Sequence, residues 1–207
     1  MIDPGLIKAI AGLGAFCLGA YAFGSYALKV RAGTVKPHPF SWVIWGFSAS
    51  LATFVQLLNG AGFATLSVAS TAIGCVAVLG FTKRSDWGGF RKNDWVNLCL
   101  AVVALVAWQV ADSAEASVVL LSVGLLMGMI TTATKSFNSP FTESQALFVL
   151  SAAKQVLALV AVSTYGFVTI YPAVFAIVVN LLVYSLITVR RAKIAPGGKT
   201  QLALVGP

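Results

Sequence analysis

Residues 169–189 read TIYPAVFAIVVNLLVYSLITV, a run of 21 residues without a charged side chain that ends at Arg190 and Arg191. A helix that crosses the roughly 30 Å hydrocarbon core of a bilayer needs about 20 apolar residues, because each residue adds 1.5 Å. The stretch is therefore predicted to be a transmembrane helix. The basic pair that follows it is expected at the membrane surface.

The composition of the whole chain agrees with this local pattern. Of its 207 residues, 58% are hydrophobic and only 10% are charged. Soluble domains carry about 25% charged residues, so most of this surface is expected to face lipid. The formal net charge is +8, but the basic residues form short clusters between apolar runs. That pattern indicates membrane orientation and argues against a nucleic-acid partner.

Six further apolar segments of this kind lie before residue 169. Together they predict an all-α membrane protein with seven transmembrane helices, near residues 6–28, 40–58, 63–81, 95–111, 117–134, 144–164 and 169–189.

Lysine and arginine are distributed unevenly between the two ends of these spans. Twelve of the 14 fall on the side of the first, third and fifth connections and the C-terminal tail. The opposite side has only Lys8, and Lys154 lies inside a span. Because basic residues are enriched in cytoplasmic loops, we expect the N-terminus outside and the C-terminus in the cytoplasm. The expected location is the plasma membrane or a bacterial inner membrane.

Two segments of the chain repeat the same pattern. Residues 29–41 read KVRAGTVKPHPFS and residues 135–142 read KSFNSPFT. Each has a lysine at a helix end, a polar connection and Pro-Phe-Ser/Thr at the next span. Each of these spans also contains a late glutamine, Gln56 or Gln155. This order predicts an internal repeat.

The number of spans divides the chain in the same way. Three spans are an odd number, so a second triplet keeps the orientation of the first only if one helix is inserted between them. The sequence therefore predicts two parallel three-helix repeats joined by a linker helix, a 3+1+3 arrangement. The expected bounds are 1–92 for the first repeat, 93–114 for the linker, 115–192 for the second repeat and 193–207 for a flexible cytoplasmic tail.

With this arrangement, and with a PQ-loop-like stretch over residues 25–41, the chain resembles the SWEET and PQ-loop transporter superfamily. Ser25 and Tyr26 stand near the place of the family's Pro-Gln dipeptide. Parallel repeats of this kind bind substrate at the repeat interface near the membrane midplane. The resemblance also implies that Asn180, on the last helix, lines the substrate pocket. The alternative for Asn180 is a hydrogen bond between helices.

Lys154 is the most informative single residue. It is the eleventh residue of the segment 144–164, which places it near the midplane, where a lysine costs on the order of 2.5–3.5 kcal/mol. We expect it to face a polar cavity, together with Ser151 and Gln155, which lie within one turn of it. Its charge then needs a bound anion, or the amine is neutral and bonded to Ser151, Gln155 or Asn180. A structural hydrogen-bonded lysine and a side chain that snorkels to the headgroups are the alternatives.

The second span adds Trp45, Ser48 and Gln56 as candidate substrate-binding residues on approximately one face. Trp45 has two interpretations, a stacking wall for a ligand or an interfacial anchor. Trp42 is the stronger candidate for an anchor. Pro39 and Pro140 are candidate hinges at equivalent positions of the repeats, although proline also simply begins helices.

Small residues four apart predict close contacts between helices. The clearest pair is Gly124 and Gly128 in the fifth span.

Catalytic chemistry has few residues available. His38 is the only histidine and no pair of carboxylates lies within a span, so we expect no catalytic residues, no metal site and no cofactor. The leading hypothesis is a transporter or facilitator of a small polar or anionic solute. The alternatives are a non-catalytic subunit of a larger membrane complex and a SWEET-like receptor. The expected partners are the lipid bilayer and the solute, with a homo-oligomer or a membrane complex also open.

Overall fold

The computed structural model describes residues 3–37, 39–83, 87, 92–111 and 113–194. His38 and residues 195–207 of the predicted tail lie outside these ranges. The described residues are helical and contain no strand. Their α-helices are α1 (Pro4–Arg31), α2 (Pro39–Leu58), α3 (Thr65–Phe81), α4 (Lys92–Ala111), α5 (Ala114–Asn138), α6 (Gln145–Ala161) and α7 (Phe167–Ile194). Two 3₁₀ turns, Gly62–Ala64 and Pro140–Thr142, precede α3 and α6.

Five helical segments among the described residues are long and apolar enough to cross a membrane. They are Pro4–Arg31, Ser41–Leu58, Gly62–Phe81, Ala114–Asn138 and Phe167–Ile194. Helix α6 is also apolar, but its 17 residues fall below the usual length of a span. The chain is therefore an all-helical protein whose apolar helices suit a multi-pass membrane protein.

Local chemistry explains where two of the helices begin. The Asp3 carboxylate accepts a hydrogen bond from the Gly5 amide at 3.0 Å, and Pro4 occupies the first turn, where its missing N–H costs no hydrogen bond. Pro140 behaves differently from Pro4. It begins a 3₁₀ turn, and α6 starts only at Gln145 because Glu143 between them is extended, with φ −117° and ψ 156°.

The helices pack in the same order in the first half of the chain (α1, α2 and α3) and in the second half (α5, α6 and α7). Helix α3 packs against both α1 and α2, and α7 packs against both α5 and α6. Between the halves, α1 packs extensively against α6, whereas α2 contacts α5 over a smaller area. Helix α4 packs on α5 and also touches α2. The contact between the halves is thus tight along α1 and α6 and loose along α2 and α5.

The α2–α3 and α6–α7 connections meet at one end of the bundle, which we call the hairpin face. The Ser163 amide donates to the Ala61 carbonyl at 3.2 Å, and the Thr164 amide donates to the Gly60 carbonyl at 3.0 Å. Gly62 adopts φ +61°, and a Cβ there would lie 2.1 Å from the Ser163 hydroxyl. The two hairpins are therefore bonded directly to each other. The opposite end, with Lys29, Lys135 and Arg191, is the basic face.

Candidate functional site

A central cavity of about 130 Å³ lies between the two halves of the bundle and is lined by residues of α1, α2, α3, α5, α6 and α7. The sequence-predicted substrate-binding residues all line it: Trp45, Ser48, Gln56, Ser151, Lys154, Gln155 and Asn180. Side chains that are distant in sequence thus share one cavity wall. The remaining wall is mostly aliphatic and aromatic.

Lys154 is 1% exposed and donates three hydrogen bonds. Its Nζ lies 2.7 Å from the Ser67 carbonyl oxygen, 3.0 Å from Ser70 Oγ and 2.6 Å from Thr71 Oγ1. An ammonium group has three donors and no acceptor, so all of its bonding capacity is used. The hydrogen-bond partners expected from the sequence were Ser151, Gln155 and Asn180, whereas the partners observed all belong to α3.

Two further contacts involve Lys154 or its neighbour Gln155. The Phe23 ring centroid lies 5.2 Å from the ammonium nitrogen, within the range of a cation–π interaction. The Ser67 hydroxyl donates to Gln155 Oε1 at 2.8 Å. Lys154 forms no ion pair with a carboxylate in the described part of the chain. The buried amine therefore depends on neutral oxygens and one aromatic face.

Asn180 is buried, and its Nδ2 donates to the Ala176 carbonyl at 2.8 Å. This bond lies within α7, so the side chain is oriented by its own helix toward the cavity. The interhelical bond that the sequence left open for Asn180 does not involve this nitrogen.

The tryptophans of α2 lie inside the bundle. Trp42 is 3% exposed and packs on Tyr26, with ring centroids 4.8 Å apart, so the preference for Trp42 as an interfacial anchor was wrong. Trp45 contacts Trp42 edge-on at 5.5 Å and lines the cavity. Its Nε1–H is buried without a hydrogen-bond partner among the described residues. Burial of that donor without an acceptor is costly, and the nitrogen lies against Gly128 of α5.

A second, smaller cavity lies toward the basic face, and Trp42, Trp45, Leu147 and Phe148 line both cavities. These four side chains therefore form an apolar partition between the two cavities. Toward the hairpin face, the central cavity is bordered by a buried cluster that includes Val55, Val118 and Val168.

The second cavity ends at a polar cluster centred on Glu143, which is 6% exposed. Lys135 Nζ lies 2.6 Å from Glu143 Oε1 and also donates to the Lys36 carbonyl. The Tyr26 hydroxyl donates to Glu143 Oε2 at 3.4 Å, and Arg191 Nη2 donates to the Glu143 carbonyl at 2.6 Å. We call Tyr26, Lys135, Glu143 and Arg191 the basic-face latch.

Sequence reasoning missed this latch. The available signal was Glu143, one of three acids on the side of the predicted spans that carries twelve basic residues. Its partners come from α1, α5 and α7, and spacing along the chain does not show that these helices meet.

Pro39 is the first residue of α2 and Pro140 begins the 3₁₀ turn before α6. Their hinge role stays a prediction. In the described residues, no group of three His, Cys, Asp or Glu side chains is placed to hold a metal ion.

No family model matches the chain, and it has no significant match among curated proteins or solved structures.

Proposed function

We propose that the protein is a seven-span membrane transporter or facilitator that passes a small polar solute through the central cavity. The observation that carries this proposal is the cavity itself. Six helices, three from each half of the chain, contribute to its wall, and it holds every polar residue that the sequence placed at such a site. A cavity at the interface of two repeats is where repeat-built transporters bind substrate.

The proposed architecture is 3+1+3, with α4 as the linker and the basic face in the cytoplasm. The packing order supports it, because the third helix of each triplet packs against both of its partners. The peripheral position of α4 on α5 fits a linker. Under this proposal, the resemblance to the SWEET and PQ-loop superfamily reflects a shared way of building a cavity between parallel repeats.

The hydrogen-bonding state of the cavity favours an uncharged solute over an anion. The three donors of Lys154 are already bonded to α3, so an anion would have to displace a protein acceptor. The neutral polar side chains of Ser48, Gln56 and Asn180 also line the cavity and suit a solute with hydrogen-bond donors and acceptors. The apolar remainder of the wall suits the nonpolar part of such a molecule.

A ligand screen tests the proposal. Purified protein should gain thermal stability from one class among sugars, amino acids, organic acids and nucleosides, because a ligand that binds only the folded state stabilises it. Proteoliposomes should take up the same compound. The Asn180→Leu variant keeps the size of the side chain, removes an amide that lines the cavity, and should lose most of the ligand-induced stabilisation.

Asn59→Leu is the matched control, because Asn59 lies at the hairpin face and its Nδ2 makes the same kind of bond, to the Val55 carbonyl four residues earlier at 2.8 Å. If no class of compound stabilises the protein and none is taken up, the transport proposal is wrong. Stable co-purification with a membrane complex would then support the subunit alternative.

A further inference from the structure

We infer that the Ser67 carbonyl, the Ser70 and Thr71 hydroxyls and the Phe23 ring form a binding site for a monovalent cation, which Lys154 fills with its own ammonium group. The inference concerns a site distinct from solute recognition and does not depend on transport. It accounts for a buried cation that has no carboxylate partner in the described residues.

The donor set matches a weakly hydrated monovalent cation. All three oxygens are neutral, and they lie 2.6–3.0 Å from the Lys154 nitrogen. The Ser70 hydroxyl also donates to the Ser67 carbonyl at 2.6 Å, so it offers a lone pair to the ammonium. Neutral oxygens replace the hydration shell of a monovalent ion, and the Phe23 face adds cation–π attraction.

The surrounding helices leave room for this group. Gly19 of α1 faces it, and a Cβ there would lie 2.0 Å from Ser70 Oγ and 3.1 Å from Lys154 Cδ. Thr71 and Lys154 both line the central cavity. Removal of the lysine side chain would therefore open the site to the cavity, where a dissolved cation can enter it.

The tethered cation connects the two halves of the bundle. Lys154 belongs to α6, whereas its oxygen partners belong to α3 and Phe23 belongs to α1. It thus reinforces the tight contact along α1 and α6. Because the tethered ammonium already fills the site, the native protein should not respond to the choice between sodium and potassium.

Thermal unfolding of Lys154→Ala in different chloride salts tests the inference. At equal ionic strength, ammonium, methylammonium or potassium should raise its melting temperature above the value in tetramethylammonium. At ten times the dissociation constant the shift should be roughly 3–6 °C. Tetramethylammonium is the reference because it has no N–H donor and is too large for three oxygens at this distance.

Lys154→Met is the matched control. The methionine side chain fills most of the space that Lys154→Ala leaves empty, so this variant should show no salt response. The wild-type protein should not respond either. If Lys154→Ala folds and no small cation stabilises it over tetramethylammonium, the inferred site does not exist.

A double-mutant cycle covers the case in which Lys154→Ala does not fold. Thr71→Val keeps the side-chain shape and removes one oxygen, so it should lower the melting temperature of the wild-type protein. The same change should have little effect in the Lys154→Met background, because the cation is already gone. Additive effects of the two substitutions would overturn the inference.

Discussion

The indole of Trp45 lies directly against the bare Cα of Gly128. A Cβ built on Gly128 would come within 2.2 Å of Trp45 Nε1 and 2.7 Å of Cε2. Glycine at this position of α5 therefore lets the ring of α2 lie close to the α5 backbone, at the loose side of the interface between the halves. The position of the ring determines the partition between the two cavities.

We expect Gly128→Ala to destabilise the protein by about 1–3 kcal/mol, the usual cost of forcing an extra carbon into a packed interior. The indole is rigid and has to move as a whole. Gly124→Ala is the control one turn away, because a Cβ there meets no atom of the described residues within 4 Å. It should be neutral or slightly stabilising, since alanine favours the helix. Equal losses in thermal unfolding would contradict the role assigned to the Trp45 contact.

Gly124 and Gly128 show what can and cannot be predicted from the sequence alone. Their spacing predicts a close-packed surface, but in the described part of the chain only a Cβ on Gly128 would have a neighbour within 4 Å. A periodicity indicates the face of a helix and not what lies opposite it. The same limit applies to Lys154. Its depth and its place at a cavity follow from counting residues, whereas its partners Ser67 and Thr71 depend on how α6 packs against α3.

The positions of the helices were easier to predict from the sequence than the contacts between their side chains. Apolar runs of span length indicate where the helices lie, and the structure has helices at all of the predicted positions. The bounds differ where interfacial or capping residues extend a helix beyond its apolar part, as at Pro4 and Ile194. The basic-face latch needed the three-dimensional structure, since an ion pair between helix ends leaves no periodic signal.

The proposed orientation, with the basic face in the cytoplasm, predicts a labelling pattern. In a variant with all three natural cysteines replaced by alanine, Asn59→Cys and Tyr165→Cys at the hairpin face should react with a membrane-impermeant maleimide in intact cells. Lys36→Cys and Ala32→Cys at the basic face should react only after permeabilisation. All four positions are exposed, so access is not limited by burial. The reverse pattern would show that the basic face lies outside.

The bond between the two hairpins predicts a specific steric effect at Gly62. Gly62→Ala introduces both an unfavourable backbone at φ +61° and a Cβ that meets Ser163 Oγ at 2.1 Å. Gly33→Ala is the control, because Gly33 has a similar φ of +73° and a Cβ there would have no described neighbour within 4 Å. We expect Gly62→Ala to lower the melting temperature more than Gly33→Ala, which bears only the backbone cost of about 1–2 kcal/mol.

Removal of the Ser163 side chain should reverse the additional effect. In the Gly62→Ala, Ser163→Gly double variant, the loss relative to Ser163→Gly should fall to that of Gly33→Ala. If the loss from Gly62→Ala is unchanged in that background, the hairpins do not press against each other as described.

The basic-face latch predicts both an energetic coupling and a change in access. Glu143→Gln and Lys135→Met should each destabilise the protein and should couple by about 0.5–3 kcal/mol in a double-mutant cycle, because their side chains form a 2.6 Å ion pair. Glu143→Gln combined with Lys8→Met should be additive, since Lys8 lies at the hairpin face.

The latch also bonds Glu143 to Tyr26 of α1, so loss of the latch should favour a state open toward the basic face. A cysteine at Thr132, which lines the second cavity, should then react faster with maleimide in the Glu143→Gln background in permeabilised cells. An unchanged reaction rate would show that the latch stabilises the fold without closing the cavity.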